Sequence, residues 1–143
     1  MAESAMREIL LHGSPDEAFD RSVVFARRMA ESFGARLHVL YTVEEPLSAG
    51  WTAEVSAERL PEVHEAMETE ARERLARLIP FDDQERLGVQ FALRTGPVEE
   101  ELVRYTLEHN VDLAIVQSRR GDRDSGHAQA LLEKGRCAVL VLR

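Results

Sequence analysis

The sequence predicts an α/β fold: a doubly wound parallel sheet of five strands, in the order 3-2-1-4-5, with helices on both faces. Three observations lead there. Short apolar runs alternate along the chain with longer stripes of helical period. Several runs are apolar at successive positions, as strands covered on both faces must be. Helix caps and glycine stops fall between them, where such a fold needs its turns.

The first strand reads Glu8–His12. Ser14-Pro15-Asp16-Glu17 then forms a capping box with proline at the first helical position. Phe19, Val23, Ala26, Ala30 and Phe33 recur at helical spacing until Gly34 ends the helix. Leu37–Val43 is the second strand, followed by an irregular stretch from Glu44 to about Ser56 that holds Pro46, Gly50 and Trp51. A second helix runs from about Pro61 to Ile79, with Leu60, Val63, Met67, Ala71, Leu75 and Leu78 on one stripe. Glu68–Arg72, Glu70–Arg74 and Glu73–Arg77 lie at i,i+4 on its outer face, the pattern of a solvated surface.

Val89–Arg94 alternates more clearly, with Val89, Phe91 and Leu93 on one side, and reads as an edge strand. Thr95-Gly96-Pro97 opens a third helix whose Glu99, Glu100 and Glu101 suit the positive field of a first turn; it ends near His109-Asn110. Asp112–Gln117 is the fourth strand. A short fourth helix, about His127 to Lys134, is closed by Gly135, and Cys137–Leu142 is the last strand. With no linker or repeat to interrupt the series, residues 1–143 read as one domain.

Composition narrows the function classes. A hydrophobic fraction of 44% and a charged fraction of 31% suit a globular protein, and no apolar run reaches the roughly 20 residues of a membrane helix. The opening MAESAMREILLHGS lacks the pattern of a secretory signal, so a cytoplasmic location is expected. A single cysteine, Cys137, rules out an internal disulfide. The net charge of −8 argues against electrostatic binding to nucleic acid or to an anionic membrane.

In the flavodoxin-like or Rossmann-like order, the chain reverses between strands 1 and 4, and a crevice opens at their carboxyl ends. The residues expected there are His12, Gly13, Val43, Gln117, Ser118, Arg119, Arg120 and Gly121.

At this point the chain resembles the universal stress protein family over nearly its full length. "EILLHGSPDEAFDRSVVFARRMAESFGARLHVLYTV" is similar to that family's first strand, Gly-Ser turn, amphipathic helix and second strand. "TGPVEEELVRYTLEHNVDLAIVQSRRG" resembles its Gly-x-Pro helix, Asp-Leu-Ile-Val strand and Ser-Arg-Gly turn. "CAVLVLR" resembles its closing strand, with Ala138 where proline is usual.

The ATP-binding branch of that family carries G-x2-G-x9-G-[ST] after strand 4 and an aspartate at the end of strand 1. Here Gln117 and Arg120 take the first two glycine positions, the interval from Arg120 to Cys137 is several residues short, and His12 replaces the aspartate. Such a cradle needs close backbone approach and often positive φ, which only glycine adopts cheaply. The resemblance therefore implies a member that does not bind ATP through this turn: a regulatory or protective protein acting through an unknown protein partner, with no cofactor. The alternative is ATP or AMP held by the side chains of Arg119, Arg120 and Arg123, offset by Asp122 and Asp124.

Catalysis finds little support. His12, Ser14 and Asp16 share a triad's vocabulary, yet Ser14 is better explained as a helix cap and Asp16 as a first-turn acid. His12 reads as a hydrogen-bonding or polar rim residue, with ligand contact as the sharper reading. His38, His64, His109 and His127 are spread over different elements, and His64 with Glu68 is a weak metal signal. Cys137 reads as a small buried hydrophobe, while Trp51 either covers the crevice or docks on the sheet. The last strand wants cover on both faces and leaves an unpaired edge, so a homodimer through Val139, Leu140, Val141 and Leu142 is expected; the family resemblance implies the same interface.

Overall fold

The computed structural model of the chain describes residues 6–13, 17–43, 60–117 and 126–143. Its elements run β1 (Glu8–Gly13), α1 (Glu17–Phe33), β2 (Arg36–Val43), α2 (Leu60–Leu78), α3 (Phe81–Arg86), β3 (Gln90–Thr95), α4 (Val98–Glu108), β4 (Leu113–Gln117), α5 (Gly126–Lys134) and β5 (Ala138–Leu142). All pairings are parallel, and the order is β3-β2-β1-β4-β5, as expected from the sequence. The cap at Ser14-Pro15-Asp16 and the stretch with Trp51 lie outside the described residues.

Alternation along the strands deals side chains to two layers. Ile9 and Leu11 of β1, Leu37, Val39 and Tyr41 of β2, and Leu113 and Ile115 of β4 pack under Phe19, Val23, Ala26 and Ala30 of α1 and Ala71 and Leu75 of α2. On the opposite face Leu10, Leu40, Ala114 and Val116 meet Leu102, Val103 and Tyr105 of α4 and Leu131 of α5. Val89, Phe91 and Leu93 fall together on the α1/α2 side, so the alternation read for the third strand holds, and β3 is an edge.

Helix ends follow their glycines. Gly34 adopts φ 64, where an L side chain is strained, and lets Ala35 N–H reach back to the Ala30 carbonyl at 2.8 Å. That bend gives the buried position to Ala35, so Phe33, expected on the core stripe, is 45% exposed. Among the described residues five helices stand where four were expected. The additional one, α3, follows Pro80 and buries none of its residues; Phe81 is 74% exposed, so no apolar stripe announced it. Charged contacts hold it instead: Arg27 of α1 reaches Asp83 at 2.8 Å, and Arg86 reaches Glu31 at 3.2 Å.

One expected surface pair works otherwise. Arg72 bonds Glu68 within α2, but Arg74 makes two bonds to Asp20 of α1, at 2.8 and 3.0 Å, and so ties the two helices together.

The α4 layer contains a buried polar seam. His38 of β2 is 1% exposed; its Nδ1 lies 2.7 Å from the Tyr105 hydroxyl and its Nε2 3.2 Å from Glu8 Oε2. A carboxylate only accepts, so Nε2 donates to Glu8 and Nδ1 accepts from Tyr105. Burial pushes the Tyr105 phenol up to about 12 and holds the His38 imidazole below its ordinary value, against the opposing pull of Glu8. The Tyr105 ring stacks on His109 at 4.1 Å, and the Arg94 guanidinium lies over the same ring, 4.9 Å from its centre. Replacing Tyr105→Phe strips His38 Nδ1 of its donor in a buried place. The variant should lose about 1–3 kcal/mol, read as a lower urea midpoint at unchanged denaturant slope.

Candidate functional site

The β1 and β4 carboxyl ends flank the point where strand order reverses, and four of the eight predicted crevice residues are described there: His12, Gly13, Val43 and Gln117. Ser118, Arg119, Arg120 and Gly121 lie outside the described residues. The four do not share one role.

Gly13 is where backbone, helix and strand end approach most closely. A Cβ at this position would lie 2.3 Å from Phe19 Cδ2 and 2.9 Å from Gln117 Oε1, so any larger residue must displace the Phe19 ring. That ring is itself edge-on to Tyr41 at 4.8 Å. Gln117 belongs to the same side. Its Nε2 donates to Ser22 Oγ of α1 at 2.6 Å, which commits the side chain to the α1 layer. Val43 contributes backbone, its carbonyl accepting from Gly96 N–H at 3.1 Å, where φ of 136 calls for glycine.

His12 lies on the opposite face, with the parity of Leu10. It is 4% exposed, so of the two roles read from sequence, hydrogen bonding or a polar rim, the buried, hydrogen-bonded one is found. Its Nε2 is 2.7 Å from Thr42 Oγ1, itself buried on β2. The ring of His127, in the first turn of α5, meets it edge-on at 5.2 Å between centroids. Burial first, and the neighbouring His127 second, bring the His12 imidazole down to about 3. The end of β1 thus holds a neutral, hydrogen-bonded imidazole.

Thr42, His127 and Ser22 were not singled out as crevice residues from sequence. Thr42 had a signal, since it shares the parity of His38 and Leu40 on β2. The contact between His12 and His127 had none, because it joins the first strand to the last helix.

Other sequence candidates stay apart from the crevice. His64 lies on α2, and no group of three or more metal-ligating side chains gathers among the described residues. Cys137 is half-buried and burial pushes its thiol up, away from the reactive thiolate. A cavity of about 540 Å3 opens at the other end of the sheet, beside Arg7, Arg36 and Arg86. There Arg36 faces Glu8 at 3.7 Å and Arg86 faces Glu31, so acidic partners offset at least these two charges. No helix among the described residues is long and apolar enough to cross a membrane.

A family model described as the universal stress protein family matches residues 7–143. The chain belongs to the universal stress protein family. Solved structures agree on the fold. The universal stress protein UspA from Lactobacillus plantarum is 17% identical, with a TM-score of 0.72 and 100% of each chain covered. A universal stress protein in complex with cAMP is 17% identical, with a TM-score of 0.63 and 98% of each chain covered. The protein from Archaeoglobus fulgidus in complex with dAMP is 13% identical, with a TM-score of 0.56, over 96% of this chain and 98% of that one. No curated protein matches the sequence.

In this universal stress protein the buried His12 makes stability depend on pH. The unfolded chain takes up a proton near 6.5, whereas the folded imidazole resists it until about 3. Between those values the unfolded state binds the extra proton, so stability falls as pH falls, by up to about 1.4 kcal/mol per unit from this residue. His38, also held below its ordinary value, acts in the same direction. Urea midpoints should drop steadily from pH 6.5 toward pH 4, and His12→Gln should flatten that slope.

Proposed function

We propose that this universal stress protein is a non-catalytic regulatory or protective homodimer of the cytoplasm that acts by binding a protein partner, and that its crevice is not a triphosphate cradle. The observation that carries this reading is the neutral His12, bonded to Thr42 and covered by His127 at the strand end. Its neighbours support it, because the space above Gly13 is filled by Phe19 and the Gln117 amide is spent on Ser22. Gln117 and Arg120 also stand in sequence where a cradle wants glycines.

A second reading, an adenine-nucleotide site built on Arg119 and Arg120, draws on the two relatives whose structures hold cAMP and dAMP. Calorimetry and thermal shift with ATP and AMP, with and without Mg2+, separate the two. The first expects neither heat nor shift. Saturable binding that weakens in Arg119→Ala or Arg120→Ala would establish the second, and product formation would replace both with an enzyme.

The proposed dimer uses β5, which ends the sheet and has a neighbour on one side only among the described strands. Val141 is 45% exposed and Leu132 of α5 70% exposed, while Val139, Leu140 and Leu142 are partly buried. A second copy pairing along this edge would satisfy its backbone groups and cover the apolar residues. Because Leu140 packs inward and Val141 outward, their variants differ. Val141→Asp should give a folded monomer by sedimentation, and Leu140→Asp should also lower stability; an unchanged dimer in Val141→Asp would remove β5 from the interface.

A further inference from the structure

The outer face of α1 has a composition that the fold does not account for. Phe19, Val23, Ala26 and Ala30 are fully buried and anchor the helix on the sheet. One flank sends its charges to neighbouring helices: Asp20 meets Arg74, Glu31 meets Arg86, and Arg27 reaches Asp83. The opposite flank is tied to β4 by the bond between Ser22 and Gln117. What remains is Arg21, Val24, Phe25 and Arg28, at the i, i+3, i+4, i+7 spacing of a single helical face.

Both arginines are exposed, and neither side chain makes an ion pair or hydrogen bond among the described residues. Between them Val24 is 42% and Phe25 39% exposed. A solvated helix face pairs its cations with acids one turn away, as α2 does with Glu68 and Arg72. This one sets unpaired cations around apolar side chains instead, on a chain of net charge −8. Aromatic residues and arginine are the types enriched at protein interfaces, where a few such anchors carry most of the binding energy. The charge pattern selects the occupant. Arg21 and Arg28 stand two turns, about 10 Å, apart along the axis, so their complement is a segment with carboxylates at that separation around an apolar side chain. One face of an acidic amphipathic helix supplies this. A second copy placed on a two-fold axis through this face would bring like charges together. Two unpaired guanidinium groups on an acidic chain also fall short of the several phosphates a nucleic-acid site neutralises and of the basic cluster an anionic membrane requires.

Resting on the partner-binding reading above, we propose that the face of α1 formed by Arg21, Val24, Phe25 and Arg28 docks an acidic amphipathic helix of a protein partner. The buried side of α1 holds this face in place before contact, so little backbone order has to be gained on binding. A surface of one helix face belongs to the weak, transient class of interfaces.

A fluorescently labelled helical peptide, with two glutamates seven residues apart flanking a pair of leucines on an alanine and glutamine background, tests this by anisotropy on the full-length protein. Saturable binding is expected, weakened at least about tenfold by Phe25→Ala or by Arg28→Glu and weakened by added salt. Both positions are exposed, so the urea midpoint should change little in either variant. A peptide with lysines in place of the glutamates should fail on the wild type and bind the double variant Arg21→Glu with Arg28→Glu, a swap that unspecific apolar adhesion does not produce. On binding, the amide resonances of residues 21–28 should move. Absence of saturable binding, unchanged affinity in Arg28→Glu or a failed swap would each overturn the proposal. Resonance shifts confined to β5 or the crevice would also overturn it, while leaving the partner-binding reading in place with another surface. Tighter binding of duplex DNA or of phosphatidylserine vesicles than of the acidic peptide would overturn the partner's chemistry.

Discussion

Burial of β1 on both faces is the constraint from which the rest of the molecule follows. Ile9 through Gly13 are all buried, with β2 on one side and β4 on the other. A strand in that position can carry a polar side chain only where a partner waits for it. The odd positions Ile9 and Leu11 remain purely apolar and set the α1 layer. On the even side the ends, Glu8 and His12, are polar, and each has its partner on β2.

This arrangement gives the two faces of the sheet different characters. The face under α1 and α2 is apolar almost to its rim, where Gln117 and Ser22 close it with one hydrogen bond. Under α4 and α5, apolar Leu10, Leu40, Ala114 and Val116 form a middle band between two polar ends. One end holds Glu8, His38 and Tyr105; the other holds His12, Thr42 and His127. Burial lowers both imidazoles from their ordinary value, His38 against the pull of Glu8 and His12 with the help of His127. The same depth holds each imidazole in a hydrogen-bonded place.

Most of the architecture was legible before any coordinates. Apolar runs announced β1, β2 and β4, alternation announced β3 as an edge, and Gly34 and Gly96-Pro97 marked where helices stop and start. What escaped was α3, because a helix with no buried residue leaves no periodic trace. The strand ends at the reversal of strand order were legible in place but not in contacts. The switch-point rule located His12, Gly13 and Gln117. Parity with Leu113 and Ile115 already put Gln117 on the α1 face. The meeting of His12 with His127 required the tertiary fold, since nothing local relates a strand end to a helix more than half the chain away.

The manner in which α3 is fastened has a consequence of its own. With no residue in the core, it is tied to α1 by Arg27–Asp83 and Arg86–Glu31 and to the chain before it by the Gln84 amide on the Ile79 carbonyl. Dissolved ions near physiological strength screen exposed charges over about 8 Å, and more strongly as their concentration rises. Concentrated salt therefore weakens the charged part of this attachment more than it weakens the apolar packing of the sheet. The crossover between α2 and β3 thus carries ionic ties where the layers on the sheet carry apolar ones.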